Sequence, residues 1–137
     1  MSLFQIFDIS GSGMTAQSLR LNLTASNMAN ANSVASNPED AYKSRQPVFQ
    51  AVMQNSMEQG GATGVQALAV VESQAEHQMR YEPGNPLANE EGYVFSSNVD
   101  AVEEMANMMS ASRSYQNNIE VLNTSKKLLL QTLKLGE

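Results

Sequence analysis

The chain has 137 residues, the size of one small domain, and a formal net charge of −6 at pH 7. Its eight basic residues are scattered, which excludes nucleic acid as the main partner because phosphate binding needs clustered Lys and Arg. The absence of cysteine excludes disulfides, thiolate metal sites and a cysteine nucleophile. No stretch approaches the roughly 18–20 apolar residues of a direct membrane span, and no signal-peptide pattern opens the sequence.

Ser, Asn and Gln supply 40 of the 137 residues, and there is no Trp. A chain so poor in large aromatic side chains is typical of proteins that pack through long helices or subunit contacts. Residues 39–104 hold eleven of the carboxylates, so the acidic charge lies in the middle and both ends are nearly neutral.

The first segment, residues 3–32, carries apolar residues at helical spacing and is predicted to be a helix. Gly11 and Gly13 each cost about 1 kcal/mol relative to Ala inside a helix, so a bend or an interruption is expected at Ser10–Gly13. Pro38 marks the end of the segment. Four apolar residues define its contact stripe: Met14, Leu21, Ala25 and Met28.

The middle of the chain has the pattern of short strands. Val48–Met53 and Val65–Val71 are rich in β-branched residues and bounded by turn residues, which predicts a two-stranded hairpin. Tyr81–Pro86 is predicted to be a turn, and Tyr93–Phe95 a brief extended piece. The hairpin's connection is expected to be flexible because it contains three glycines: Gly60, Gly61 and Gly64.

The last segment gives the strongest helical signal. Val99–Leu135 contains neither Pro nor Gly and predicts a helix roughly 54 Å long. Ser97–Asp100 has the form of a capping box at its start, and Gly136 offers a stop. The predicted apolar stripe consists of eight residues: Val102, Met105, Met109, Tyr115, Ile119, Leu122, Leu129 and Leu133.

These elements predict a mainly α fold with a small β part, in which the long terminal helices pair as a coiled coil. The C-terminal helix is also apolar off its main stripe, and a helix apolar on several faces is normally buried on several sides. In so small a chain the extra neighbours would come from other subunits, so we expect an obligate oligomer. The chain divides into three parts: residues 1–37, 38–98 and 99–137.

No constellation of residues points to catalysis. His77 is the only histidine, and no nucleophile-elbow pattern accompanies it, so a solvated or hydrogen-bonded side chain is the default interpretation. Glu72, Glu76 and His77 lack any recognised metal-ligand spacing. We therefore predict no catalytic, cofactor-binding or metal-binding residues, and no cofactor.

Several motifs in order resemble the bacterial flagellar axial family of rod and hook proteins. The most specific is Ala-Ser-Asn-Met-Ala-Asn at Ala25–Asn30, which looks like the rod signature. One departure is Ser97, where the family usually has Pro before an Asn-Val pair, so a looser turn into the last helix is expected. The motifs span nearly the whole chain: Phe7–Ala16, Leu21–Asn32, Tyr42–Phe49, Arg80–Pro86, Gly92–Val94 and Glu103–Asn118.

The resemblance, together with the short length, implies a structural subunit of the proximal basal-body rod, the drive shaft that carries motor torque across the periplasm to the hook. It implies partners: copies of this chain, other rod proteins, the flagellar type III export apparatus, and the base of the rod near the MS ring. Export would occur without a cleaved signal. The terminal helices would form the inner tube only on assembly, and the middle would form an outer layer.

The predicted assembly interface combines both apolar stripes with two asparagines of the signature. Asn27 and Asn30 lie three residues apart on one helical face and can each donate and accept hydrogen bonds. In a tube of similar helices they are predicted to fix the axial register between neighbouring subunits, as a buried Asn fixes coiled-coil register.

Two other classes of function compete with this interpretation. One is a soluble helical adaptor or export chaperone with a methionine-rich groove, which would be an ordered monomer or dimer at low concentration. The other is a small hydrolase built around His77, whose activity would be lost on His77→Ala.

Overall fold

The computed structural model describes residues 3–53 and 63–135. Helix and strand account for most of the described chain, which confirms the coarse expectation of two terminal helices with a small β region between them. The elements are α1 (Leu3–Ala29), β1 (Val34–Ala35), β2 (Arg45–Met53), β3 (Thr63–Glu72), β4 (Met79–Tyr81), β5 (Tyr93–Ser96) and α2 (Ala101–Leu135).

Helix α1 runs without a break through Gly11 and Gly13, so the expected interruption at Ser10–Gly13 is wrong. The reason is tertiary contact, because a Cβ placed on Gly13 would lie 2.9 Å from Asn118 Nδ2 of α2. Glycine at this position lets the two helices approach closely, and that packing outweighs its low helix propensity.

The two helices pair in antiparallel fashion. Gly13 lies against Asn118, Arg20 Nη2 donates to Asn107 Oδ1 at 2.7 Å, and Asn27 Nδ2 donates to Glu104 Oε1 at 3.0 Å. The facing positions recur at alternating spacings of three and four residues. We call them the seam: Ser10, Gly13, Gln17, Arg20, Thr24 and Asn27 on α1, and Glu104, Met108, Ala111, Tyr115, Asn118, Leu122, Ser125 and Leu129 on α2.

The predicted hairpin is confirmed as the antiparallel pair β2–β3, which we call the ribbon. It packs against α1, since both strands contact that helix and Val65 N–H donates to Ser12 Oγ at 3.1 Å. The pairing shifts register after Val48, because Val48 pairs with Ala69 and Phe49 pairs with Ala67. Two of the predicted tip glycines, at 60 and 61, lie outside the described residues.

A second sheet closes the end of the molecule where α1 stops and α2 begins. Its strand order is β1-β5-β4, all antiparallel. The predicted extended piece at Tyr93–Phe95 is its central strand, whereas the sequence pattern did not reveal β1 and β4. Val94 is fully buried in this sheet. Gly92 turns the chain into β5 at a φ of 82°, with the Tyr81 ring too close for any Cβ.

The entry to α2 differs from the predicted capping box. Asp100 is the cap, because its Oδ1 accepts hydrogen bonds from the N–H groups of Val102 at 2.8 Å and Glu103 at 3.2 Å. Ser97 instead donates its hydroxyl to Ala31 O at 3.0 Å and its N–H to Ser33 O at 3.1 Å. A proline could not make these bonds, so Ser97 ties this turn to the segment that follows α1, and a turn looser than in the family stays a prediction.

Small side chains make up the described core. Its buried apolar residues are Ala16, Ala41, Val94 and Ala111. Within the described ranges, neither helix combines the length and the hydropathy needed to cross a membrane. The fold therefore depends on close backbone approach and directed hydrogen bonds more than on burial of large apolar groups.

The two glycines of α1 give a matched test of this packing. We expect Gly13→Leu to lower the melting temperature of the folded, assembled protein, since the new side chain must displace Asn118 and overpacking costs about 1–3 kcal/mol. Gly11→Leu should lower it less, because no other group of the same chain lies within 4 Å of a Cβ there. Loss of the helical circular-dichroism signal on heating measures both, and equal melting temperatures would contradict the close approach.

Candidate assembly interface

Asn27 is the most connected side chain of the structure and is only 1% exposed. Its two Nδ2 hydrogens are shared among three acceptors: Glu104 Oε1 at 3.0 Å, Arg45 O at 2.9 Å and Ser44 Oγ at 3.3 Å. Its Oδ1 accepts from Arg45 N–H at 2.9 Å and from Tyr42 O–H at 3.0 Å. One amide therefore joins α1, α2 and the root of the ribbon.

Glu104 is the acceptor on α2 and is itself only 4% exposed. The hydrogen bonds described for its carboxylate come from neutral donors, Asn27 Nδ2 and Ser44 Oγ, the latter at 3.4 Å. A buried carboxylate without hydrogen bonds would be costly, so Glu104 holds both donors in place. Loss of either partner would leave this charged group poorly satisfied.

Asn98 extends the network to the residues that follow β3 at the root of the ribbon. Its Oδ1 accepts from Ser44 N–H at 2.7 Å, and its Nδ2 donates to Ala75 O at 2.9 Å and Ser73 O at 3.3 Å. Ser73 N–H in turn donates to Ser44 O at 2.8 Å. We call Asn27, Tyr42, Ser44, Asn98 and Glu104 the hub.

The hub accounts for Asn27 differently from the sequence-based hypothesis. Its amide makes its bonds within one chain, where it sets the register of α1 against α2 and the ribbon. Asn30, predicted to share a face with Asn27, donates instead to Ser26 O of its own helix at 2.8 Å. The two asparagines therefore do not form one outward hydrogen-bonding face on this chain.

The predicted stripe of α2 divides into two neighbouring lines. Tyr115, Leu122 and Leu129 belong to the seam, on the same line as the fully buried Ala111. The other five point outward and are exposed: Val102 (73%), Met105 (47%), Met109 (60%), Ile119 (38%) and Leu133 (63%). Hydrophobicity alone could not separate the lines, because the seam includes small and polar residues at Glu104, Ala111, Asn118 and Ser125.

The predicted stripe of α1 also points outward. Ser12 contacts the ribbon and Gly13 contacts α2; each further residue turns by about 100°, so Met14 faces a third direction. The same holds one and two heptads later. Met14, Leu21 and Met28 are half-buried, and Ala25 is exposed.

The outward lines of the two helices lie on one side of the pair. The outward residues of α1 each follow a seam position, as do Met105, Met109 and Ile119 on α2, and in an antiparallel pair such positions share a side. Val102 and Leu133 continue this line at heptad spacing from Met109 and Ile119. Positions that precede the seam, Glu103 and Asn107, line a hollow of about 250 Å³ with Pro47 and Phe49 of the ribbon. The opposite side is the back face: Met14, Leu21, Ala25, Met28, Val102, Met105, Met109 and Ile119.

Sequence reasoning missed the partners of Asn27. By sequence, Glu104 falls in the first turns of α2, where a carboxylate suits the helix dipole, and Tyr42 and Ser44 belong only to a family motif. Periodicity could have identified Glu104 as a seam residue, because it lies one heptad before Ala111 and on the line of Tyr115 and Leu122. A polar residue on a seam line calls for a hydrogen-bonding partner.

His77 has a structural contact, with its Nδ1 2.9 Å from Ser96 O. Glu72 pairs with Arg45 on the ribbon, the Oε1–Nε distance being 3.5 Å. Within residues 3–53 and 63–135, no three His, Asp or Glu side chains come together as a metal site would require.

Two family models match the chain at the helices that form the seam. Residues 7–35 match "Flagella basal body rod protein", and residues 90–135 match "Flagellar basal body rod FlgEFG protein C-terminal". The class defined by both ends is therefore that of the flagellar rod proteins.

Curated relatives narrow the class further. The chain is 54% identical over 137 residues to the flagellar basal-body rod protein FlgC of Escherichia coli O6:H1. It is 55% identical over 138 residues to FlgC of Salmonella typhimurium and 51% identical over 137 residues to FlgC of Yersinia enterocolitica. Each alignment covers all of both chains. The chain belongs to the FlgC family of flagellar basal-body rod proteins, which are structural, and the adaptor and hydrolase interpretations receive no support.

We expect Asn27→Leu to destabilise the subunit in the assembled rod. The volume is kept, but each buried hub group left unpaired costs about 1–3 kcal/mol. Isolated basal bodies should release the variant at a lower urea concentration than the wild type. Asn22→Leu is the matched control, since Asn22 is exposed on the same helix. Equal release of the two variants would show that the hub does not stabilise the subunit in the rod.

Proposed function

We propose that the chain is a structural subunit of the proximal rod and that the back face, with Leu133, is its contact surface for neighbouring subunits. The supporting observation is the exposure of large apolar side chains along α2, led by Val102 at 73% and Met109 at 60%. No charged residue lies among the eight of the back face. Seam residues Asn27, Tyr115, Leu122 and Leu129, together with Asn30, would act indirectly by holding the helix pair.

The total surface supports assembly as well. The chain exposes 9617 Å², whereas a compact monomer of 14.9 kDa exposes about 7000 Å². An extended molecule with a core of small side chains gains stability by burying the remainder against other subunits.

In this proposal the two helices line the inner tube as a coiled coil, and the middle region forms an outer layer. The parts then correspond to residues 1–37 and 99–137 for the tube and 38–98 for the layer. The helix pair carries torque along the rod because its register is fixed by the hub at one end and by Gly13 at the other.

The partners proposed for the chain are copies of itself, other rod proteins, the type III export apparatus and the base of the rod near the MS ring. A sequence without cysteine suits passage as an unfolded chain, because nothing can cross-link during transit. The seam suits it too, since small and polar side chains give a helix pair that is marginal without its neighbours.

Met109→Asp tests the back face. The side chain is exposed in the single chain, so the fold should survive. Arg113 lines the same hollow, but burying a carboxylate between subunits, even as an ion pair, still costs desolvation free energy. We expect the variant to be expressed, absent from isolated basal bodies and non-motile. Thr124→Asp, an exposed position of α2 outside the back face, should incorporate normally. Full motility of the Met109 variant would exclude this position from the interface.

A second test measures whether the terminal helices are folded before assembly. We expect dilute, isolated chain to show little helix at its ends, because helices without their partners are marginal in water. Circular dichroism before and after assembly measures the change. A dilute protein with most of residues 99–135 already helical would show that order precedes assembly.

A further inference from the structure

The ribbon presents a second uncharged surface. Between the Arg45–Glu72 ion pair at its root and its last described residues, residues 46–52 and 64–71 carry no charged side chain. Val48 and Val71, which share one face of the ribbon by the pairing register, are 38% and 46% exposed. A two-stranded ribbon is marginal without a packed face, and α1 covers this one incompletely.

The register shift makes the ribbon surface prominent at Leu68. Because Val48 pairs with Ala69 and Phe49 with Ala67, Leu68 has no opposite residue. Such a bulge re-aims side chains, and Leu68 is 66% exposed, the most exposed large apolar side chain described on the ribbon. The bulge thus gives the ribbon an apolar knob.

The ribbon and the back face lie on opposite sides of the helix pair and match in size. Strand β2 has nine residues and is about 30 Å long. The back face runs about 26 Å from Val102 to Ile119, and two adjacent helices make it about 20 Å wide. That is roughly 500 Å² in projection, and accessible area exceeds projected area, so the face approaches the roughly 800 Å² per partner of a stable interface.

We propose that the ribbon of one copy covers the back face of a second copy, with Leu68 seated against the helix pair near Met109. The inference rests on the proposed function, because a rod needs a contact that repeats. A contact between two different faces of the same chain is heterologous and generates rings or open helices, whereas back face against back face closes a dimer.

Two arguments favour the ribbon, over a second back face, as the surface that packs on the back face: the lack of charge and the apolar area that the contact covers. The residues that define the two surfaces are uncharged, so their contact desolvates few ionised side chains; Arg113 borders the back face, since it lines a hollow with Met109. A dimer through two back faces would leave both ribbons bare, but the heterologous contact covers both apolar surfaces of every copy. The ion pair Arg45–Glu72, whose side chains are each 49% exposed, would remain at the rim, where surface pairs cost little.

The cysteine-free sequence permits a direct test. Cells lacking the native protein would express Leu68→Cys/Met109→Cys, and their isolated basal bodies would be treated with a short bis-maleimide. We expect a ladder of dimers and higher multiples of the subunit, since each copy links to two neighbours. A second pair, Val71→Cys/Met105→Cys, replaces the first if that variant does not incorporate.

Single variants and a distant pair are the controls. Leu68→Cys or Met109→Cys alone should remain monomeric, and so should Leu68→Cys/Glu91→Cys, because Glu91 lies beside the three-stranded sheet. Dimers from either single variant would overturn the proposal in favour of like-with-like contact. A subunit present in basal bodies but giving no ladder with either pair would also overturn it and leave the rod function standing. Absence of the unmodified subunit from basal bodies would overturn the proposed function itself.

Discussion

The architecture depends on one buried amide, that of Asn27. A core of alanines and a single fully buried valine cannot fix the relative positions of three elements by shape alone. Directed bonds can, because a buried donor or acceptor that loses its partner costs about 1–3 kcal/mol. Asn27 donates to Glu104 on α2 and exchanges two bonds with the backbone of Arg45 at the root of the ribbon. A shift of one residue in either element would break several of these bonds together.

The polarity of the molecule is partly inverted as a consequence. Amides, hydroxyls and a carboxylate fill much of the seam, while methionines and aliphatic side chains point away from the chain's own interior. Full burial of one such apolar side chain is worth about 1.5–3 kcal/mol. In the proposed assembly, the free energy of burying these apolar side chains would be realised between chains, and the polar seam would leave the single chain weak enough to unfold for the proposed export.

The sequence predicts both helices because apolar residues recur at helical spacing in the terminal segments, and it predicts the hairpin because β-branched residues cluster in two runs bounded by turn residues. It failed where contacts join distant residues. Asn27 was predicted to matter, but its partner Glu104 lies 77 residues away, and no local pattern links them. The stripe of α2 mixed two adjacent lines because apolar residues occupy both. The expected break at Ser10–Gly13 followed from propensity, which cannot register that Asn118 needs the space left by Gly13.

Three consecutive residues of α1 show how one helix can serve three contacts. Ser12 accepts a bond from the ribbon, Gly13 admits α2, and Met14 points to the back face, each turned about 100° from the last. Because these directions belong to one rigid helix, a rotation that disturbed one contact would disturb all three. Asn27 repeats the constraint two heptads from Gly13, about 21 Å along the axis. Two fixed points define both the rotation and the translation of α1, which suits the proposed transmission of torque between an inner tube and an outer layer.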